Sequence, residues 1–153
     1  MIATSLEQNI LDCMPYMSPF RFIDEILDID DEHIVGCYTF KENEFFYRGH
    51  FPDNPVTPGV ILTECMAQIG LVAFGIHLYH ANPQIMKNLK VFFTNSNVNF
   101  YRTVFPNEKV IVKSNKLYFR LKSLKCEVIM ETESGEVISR GTMAGMFATM
   151  PSK

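Results

Sequence analysis

Residues Val60 to Tyr79, VILTECMAQIGLVAFGIHLY, decide how the rest of the chain has to be arranged. Thr57-Pro58 ahead of them reads as a helix start, where the missing proline N–H leaves no bond unmade. Gly59 to Tyr79 is then a helix on the order of 30 Å long at 1.5 Å per residue. It is apolar on nearly every face, so other parts of a protein have to surround it. A stretch of this length also suits a bilayer. Glu64, Gln68 and His77 speak against that, because polar and ionisable groups within a span are costly, the segment is single and no basic cluster flanks it. The expectation is a core helix with no membrane span.

The flanking sequence supplies the surroundings. Phe20 to Ile29 and His33 to Phe40 are rich in β-branched and aromatic residues and meet at the acidic turn Asp30-Asp31-Glu32, which predicts an antiparallel hairpin. Lys41 to Pro58 carries three prolines and reads as a loop. Beyond the helix, strands are expected over Leu89 to Tyr101, Glu108 to Leu121, Leu124 to Thr132 and Val137 to Ala148. Turns fall at Pro106-Asn107 and Ser134-Gly135. Ser5 and Gln8 predict a capping box on a short N-terminal helix. The pattern gives an α+β fold, an antiparallel sheet packed on one long helix. With 153 residues, one domain over 1–153 is expected.

Composition narrows the function. At 47% hydrophobic and 20% charged residues the chain is far from the disordered class. A net charge of −3 offers no field for nucleic acid. Cys13, Cys37, Cys65 and Cys126 show no paired spacing, which predicts neither a zinc site nor a disulfide framework. The first fourteen residues, MIATSLEQNILDCM, lack the pattern of a signal peptide, so a cytoplasmic location is expected. His77 and His80 near the helix end suit the negative pole of the helix dipole better than a metal, and no metal site is expected. The basic run Lys109, Lys113, Lys116, Arg120, Lys122, Lys125 is expected to be the solvated face of two strands alternating with Val110, Val112, Leu117, Phe119 and Leu121. Phe45, Phe46, Phe92, Phe93 and the methionines are expected mostly in the core, or else lining an apolar tunnel.

Chemistry gathers at the helix start. His50, in the proline-stiffened loop, has the side chain best suited to taking a proton near neutral pH, although a loop histidine is as readily structural. Glu64 sits in an apolar helix, where desolvation raises a carboxyl pKa and keeps a proton available. Gln68 is one turn further along the same face and is placed to hold that carboxyl. Gly59 opens the helix, where free N–H groups polarise a carbonyl oxygen. A base, an acid and an oxyanion donor are the set that elimination of water from a 3-hydroxyacyl compound requires.

The segment GHFPDNPVTPGVILTECMAQ, Gly49 to Gln68, resembles the signature of the bacterial 3-hydroxyacyl-[acyl-carrier-protein] dehydratases of the FabZ/FabA type. The resemblance extends to Met14-Pro15 through Asp24, to Asn97 through Glu108 and to Gly141 through Ala148. It implies a hot-dog fold, with the antiparallel sheet wrapped around the central helix. His50 is then the base, Glu64 the acid, Gly59 the N–H donor to the thioester carbonyl, Gln68 the orienter of Glu64, and Val56 the carbonyl partner of the histidine ring. Phe51, Pro58 and Val60 become candidates for the surrounding loop and tunnel.

The resemblance further implies a homodimer with active sites across the interface, a trimer of dimers as a higher state, and substrate carried on the phosphopantetheine of an acyl carrier protein with no cofactor of the enzyme's own. Glu at position 64 points to the FabZ type, which does not isomerise. Such a carrier is acidic, which makes Arg48, Arg102, Lys113, Lys116 and Arg120 candidates for docking it. Tyr16 departs from the family's histidine, and Asn107-Glu108 from its Gly-Asp, both bearing on tunnel shape. The competing functions are a hot-dog acyl thioesterase and a non-catalytic subunit of a heteromeric dehydratase. Whether the pathway makes fatty acids or polyene chains is not written in these residues.

Overall fold

The computed structural model describes residues 5–150. The outermost residues of the expected 1–153 domain, 1–4 and 151–153, lie outside the described part. Helix α1, Leu6–Asp12, is capped by Ser5, whose Oγ accepts the Gln8 N–H at 3.1 Å. The Gln8 side chain bonds Asp12 at 2.8 Å, so only half of the expected capping box forms.

Strands β1, Glu25–Ile29, and β2, His33–Thr39, form the hairpin. Its turn is fixed by Asp30, whose Oδ1 accepts the N–H groups of Glu32 and His33 at 2.7 and 2.8 Å. The first strand starts five residues later than Phe20, where the sequence placed it. Phe22 is fully buried, but its N–H goes to the Gln68 side chain instead of a neighbouring strand.

The long helix α2, Gly59–Leu78, is followed by the short α3, Pro83–Met86, which Asn82 caps with two bonds of 3.0 Å. Four long strands complete the sheet: β3, Leu89–Phe100; β4, Lys109–Arg120; β5, Ser123–Thr132; and β6, Val137–Thr149. The strand order is β1-β2-β4-β5-β6-β3, and every neighbouring pair is antiparallel. The sheet curls around α2, whose most apolar 18-residue window is 78% buried. Ile69, Leu71, Phe74 and Ile76 of the helix meet Val112, Val128, Met130 and Phe147 of the strands in one core. Ser114 on β4 ties the sheet to the helix by donating to the Gly70 carbonyl at 3.0 Å.

Between Gln68 and Ala73 the helix widens into a π-helical segment, a form that recurs at functional sites and leaves no mark in hydrophobic periodicity.

Two expectations about packing fail for local reasons. In β4 the side chains of Val110, Val112 and Ser114 point inward and those of Lys113 and Asn115 outward, and Leu117, the unpaired residue of a bulge between Lys116 and Tyr118, continues the outward face at 52% exposure. Leu121, in the positive-φ turn after β4, is 90% exposed. Of the aromatic residues expected in the core or along an apolar tunnel, Phe46 packs against the core and Phe45 is exposed, while Phe92 and Phe93, on β3 with a neighbour on one side only, are part-exposed and line an apolar cavity.

The two edges of the sheet are unlike. Strand β1 has five residues and a bulge, which discourages further pairing, whereas β3 offers twelve residues, most of them exposed. The β3–β6 pairing requires glycine at 141, where a Cβ would stand 2.0 Å from the Asn97 carbonyl oxygen. Gly141→Ala is expected to destabilise the protein by at least about 2 kcal/mol in urea unfolding, since backbone has to move to admit the methyl group.

Candidate active site

The loop before α2 is a series of tight turns closed by its own backbone. Phe51 and Asn54 exchange N–H···O bonds of 3.2 and 3.0 Å, and the Val56 N–H donates to the His50 carbonyl at 2.9 Å. Thr57 anchors the loop's end: its N–H donates to Val104 O at 2.9 Å and its hydroxyl bonds Tyr47 at 2.6 Å. His50 is thereby held with Nδ1 2.8 Å from the Val56 carbonyl. A carbonyl only accepts, so the proton sits on Nδ1 and the Nε2 lone pair is left to act as a base. The imidazole stacks on Phe51 at 4.3 Å between centroids.

Helix α2 begins at Gly59, directly after Pro58, and the first helical bonds are those of the Ile61 and Leu62 N–H groups to the Pro58 carbonyl. The N–H groups of Gly59 and Val60 precede them and point out of the helix end. Gly59 is exposed, with the Phe100 ring 3.4 Å from where its Cβ would be, and Val60 is 77% exposed.

One turn further on, Glu64 faces a cavity of about 160 Å³. Ala67, Leu71 and Val72 share its helix face, Val91, Phe92 and Phe93 of β3 form the opposite wall, and Tyr16 closes one side. Burial holds the Glu64 carboxyl above its ordinary pKa, and a hydrogen bond from Gln68 works against that rise.

Gln68 is fully buried and each polar atom of its amide is used. Oε1 accepts the Phe22 N–H at 2.7 Å, while Nε2 donates to the Phe20 carbonyl and to Glu64 Oε1, both at 3.0 Å. Because the backbone N–H of Phe22 can only donate, the amide cannot flip, and its NH₂ must face the carboxyl. The partnership of Gln68 with Glu64 was readable from their spacing. The part played by Phe20 and Phe22 was not, since nothing in sequence joins residues more than forty positions apart.

Within one chain the structure does not gather every candidate. His50 lies outside the lining of the Glu64 cavity. His77 bonds Asp31 at 2.9 Å, and among the described residues no cluster of three potential metal ligands forms. Of the basic candidates, Lys113 pairs with Glu131 at 3.0 Å, Lys116 with Glu32 at 3.2 Å and Arg102 with Glu108 at 3.2 Å. Arg120 lies over the Tyr118 ring. Arg48, exposed and two residues from His50, forms no ion pair among the described residues.

A family model described as a FabA-like domain matches residues 14–144. The chain belongs to the FabA-like family. Among its relatives is a 3-hydroxyacyl-[acyl-carrier-protein] dehydratase FabZ from Brucella ovis, 31% identical over 142 residues, which are 92% of this chain and 87% of that protein. The FabZ of Acetivibrio thermocellus is 36% identical over 135 residues, 88% of this chain and 86% of that protein. The dehydratase heterocomplex ApeI:P from Xenorhabdus doucetiae superposes with a TM-score of 0.74 at 16% identity, covering 98% of this chain and 94% of that one. A hypothetical thioesterase from Streptococcus pneumoniae gives 0.59 at 13% identity, with coverages of 84% and 88%. These two solved structures share the hot-dog fold. The FabA-like segment begins at Met14 and so includes the stretch that locks Gln68.

Two outcomes are expected at the Gln68–Glu64 pair. Gln68→Leu leaves the buried Phe22 N–H without a partner and should cost about 1–3 kcal/mol in chemical unfolding. Glu64→Gln tests the carboxyl's raised pKa. The native state holds that proton more tightly than the unfolded chain, so the stabilisation is present in acid and is lost as pH rises through the native pKa. The variant, which cannot ionise, should be the more stable protein at about pH 8, and its advantage should vanish at about pH 4.

Proposed function

We propose that His50 and Glu64 are the catalytic pair of this FabA-like enzyme. The chain is a dehydratase that converts 3-hydroxyacyl-acyl carrier protein to the trans-2-enoyl thioester. The observation that carries the residue assignment is the Glu64 carboxyl, held by a locked Gln68 at the wall of an apolar cavity that suits an acyl chain. The N–H of Gly59, at the positive end of α2, receives the thioester carbonyl and makes the α-proton more acidic. Nε2 of His50 removes that proton, its ring oriented by Val56. The C–H electrons become the new double bond, the C3–O bond breaks, and the departing oxygen takes the Glu64 proton and leaves as water. Phe51, Pro58 and Val60 frame the entrance, and the reaction asks for no metal or redox cofactor.

The absence of His50 from the Glu64 cavity supports a site completed by a second copy of the chain. The open β3 edge supplies the means: pairing β3 with its copy joins two six-stranded sheets and covers Phe92, Phe93 and Phe100. A homodimer is the working unit in this reading, and a trimer of dimers the next level of assembly. For the acidic carrier protein, Arg48 is favoured: Arg102, Lys113 and Lys116 are already paired with carboxylates, Arg120 lies over the Tyr118 ring, and Arg48 stands at the His50 loop with no ion pair among the described residues. A cytoplasmic location suits a reaction on a soluble carrier.

Enoyl absorbance measured with 3-hydroxyacyl thioester on acyl carrier protein tests the assignment. His50→Ala and Glu64→Ala should each lose about 10²–10⁴-fold in turnover. Co-expressing the two inactive chains tests the shared site: random mixing makes half the dimers hybrid with one intact site of two, so about a quarter of wild-type turnover should return. Each variant retaining full activity removes its residue from the mechanism, and no recovery on mixing places both groups in one chain. A wild type inactive by itself but active with another subunit supports the heteromeric alternative, and release of free thiol without enoyl product supports the thioesterase.

A further inference from the structure

The segment 14–22 crosses the helix as a strap, and its course places one side chain that the mechanism has not used. At one end Met14 is buried beside α1, and from the far end Arg21 reaches back to donate to the Leu11 carbonyl at 3.3 Å. At the other, Phe20 and Phe22 are bound to the Gln68 amide. Between these anchors Tyr16 packs partly buried against the core and enters the Glu64 cavity. Of the eight residues that line this cavity, six are apolar; Glu64 and Tyr16 alone bring polar side-chain atoms. Among the described residues the Tyr16 hydroxyl makes no hydrogen bond, and no buried side-chain polar atom is left without a partner, so this hydroxyl is accessible and its donor is free for a ligand. Burial and the neighbouring Glu64 both push the phenol pKa up, which keeps the group protonated and able to donate.

We propose that the Tyr16 hydroxyl is a second hydrogen-bond donor to the 3-hydroxyl oxygen of the bound acyl chain, and that the cavity thereby selects chains oxygenated at C3 over saturated ones. The proposal rests on the dehydratase reading and deepens it. A hydroxyl entering an apolar cavity loses its water, and the loss is recovered only if its oxygen finds donors. That oxygen accepts two hydrogen bonds. The protonated Glu64 carboxyl supplies one and Tyr16 the other, from an adjoining wall. As the C3–O bond breaks, negative charge gathers on the oxygen and the Tyr16 bond strengthens. No bond to Tyr16 forms or breaks: the proton that leaves with water is that of Glu64, and His50 keeps the one taken from the α-carbon.

The test uses two non-reacting probes, the amide isosteres of 3-hydroxyoctanoyl- and octanoyl-pantetheine, titrated calorimetrically into the full-length protein. Wild type should bind the hydroxylated probe about tenfold more tightly than the saturated one, the net of two hydrogen bonds to the hydroxyl oxygen against the cost of its desolvation, so that losing either bond removes most of the preference. Tyr16→Phe should lose most of that preference while its affinity for the saturated probe stays within about twofold, which also shows that the variant is folded. Tyr16→His, which keeps a ring N–H, should retain part of the preference. An unchanged preference in Tyr16→Phe would overturn the proposal, as would an equal loss for both probes, which makes the ring a wall and nothing more. Failure of the dehydratase reading is seen separately: a wild type that forms no enoyl product while Tyr16→Phe still abolishes the preference keeps the Tyr16 contact and loses the reaction.

Discussion

The Gln68 amide is where the structure is tied together. It is fully buried and makes three hydrogen bonds, two to the backbone of a segment that precedes it by more than forty residues and one to the carboxyl one turn before it. A buried amide with any of these unmade would be costly, so the strap, the helix and Glu64 are fixed as one unit. The same bonds explain why Phe20 and Phe22 stand outside β1: their backbone groups are already committed to a side chain. Orientation of the acid and docking of the N-terminal segment are two consequences of one interaction.

The surrounding architecture gives that unit its environment. A helix apolar on all sides lets the sheet wrap it, and the wrapping makes a wall on which burial raises the pKa of a carboxyl. The loop before the helix works differently. It has little core of its own and is shaped by tight turns and by Thr57, and the result is a histidine with one ring nitrogen committed to Val56 and the other left to act. The two halves of the proposed chemistry therefore have separate structural origins, one in the core and one in a loop, which fits a site assembled from two chains.

Shape at the sheet edges sets how copies of the chain can meet. A short, bulged β1 and a long, open β3 leave one edge suited to pairing, so in the proposed dimer the joined sheet closes at β3 and does not extend edge to edge into a filament. The exposed Phe92, Phe93 and Phe100 belong to that edge, and Phe92 and Phe93 also wall the Glu64 cavity. In the proposed reading, pairing and substrate binding thus draw on the same strand.

The sequence by itself determined the long buried helix, because twenty residues without a polar face have no other place to go, and it determined most strand spans, because period-two alternation bounded by turn residues is a local signal. It also marked His50, Gly59, Glu64 and Gln68, whose spacing along one loop and one helix is a property of the chain alone. Only the tertiary structure decided what lies between elements distant in sequence: that Phe22 gives its N–H to Gln68, that Leu117 sits unpaired and exposed in a bulge of β4, that Phe92 and Phe93 stand on an open edge, and that Tyr16 reaches the Glu64 cavity. Each depends on which surfaces meet, and burial or exposure of a given side chain follows from its neighbours in space, which local pattern does not encode.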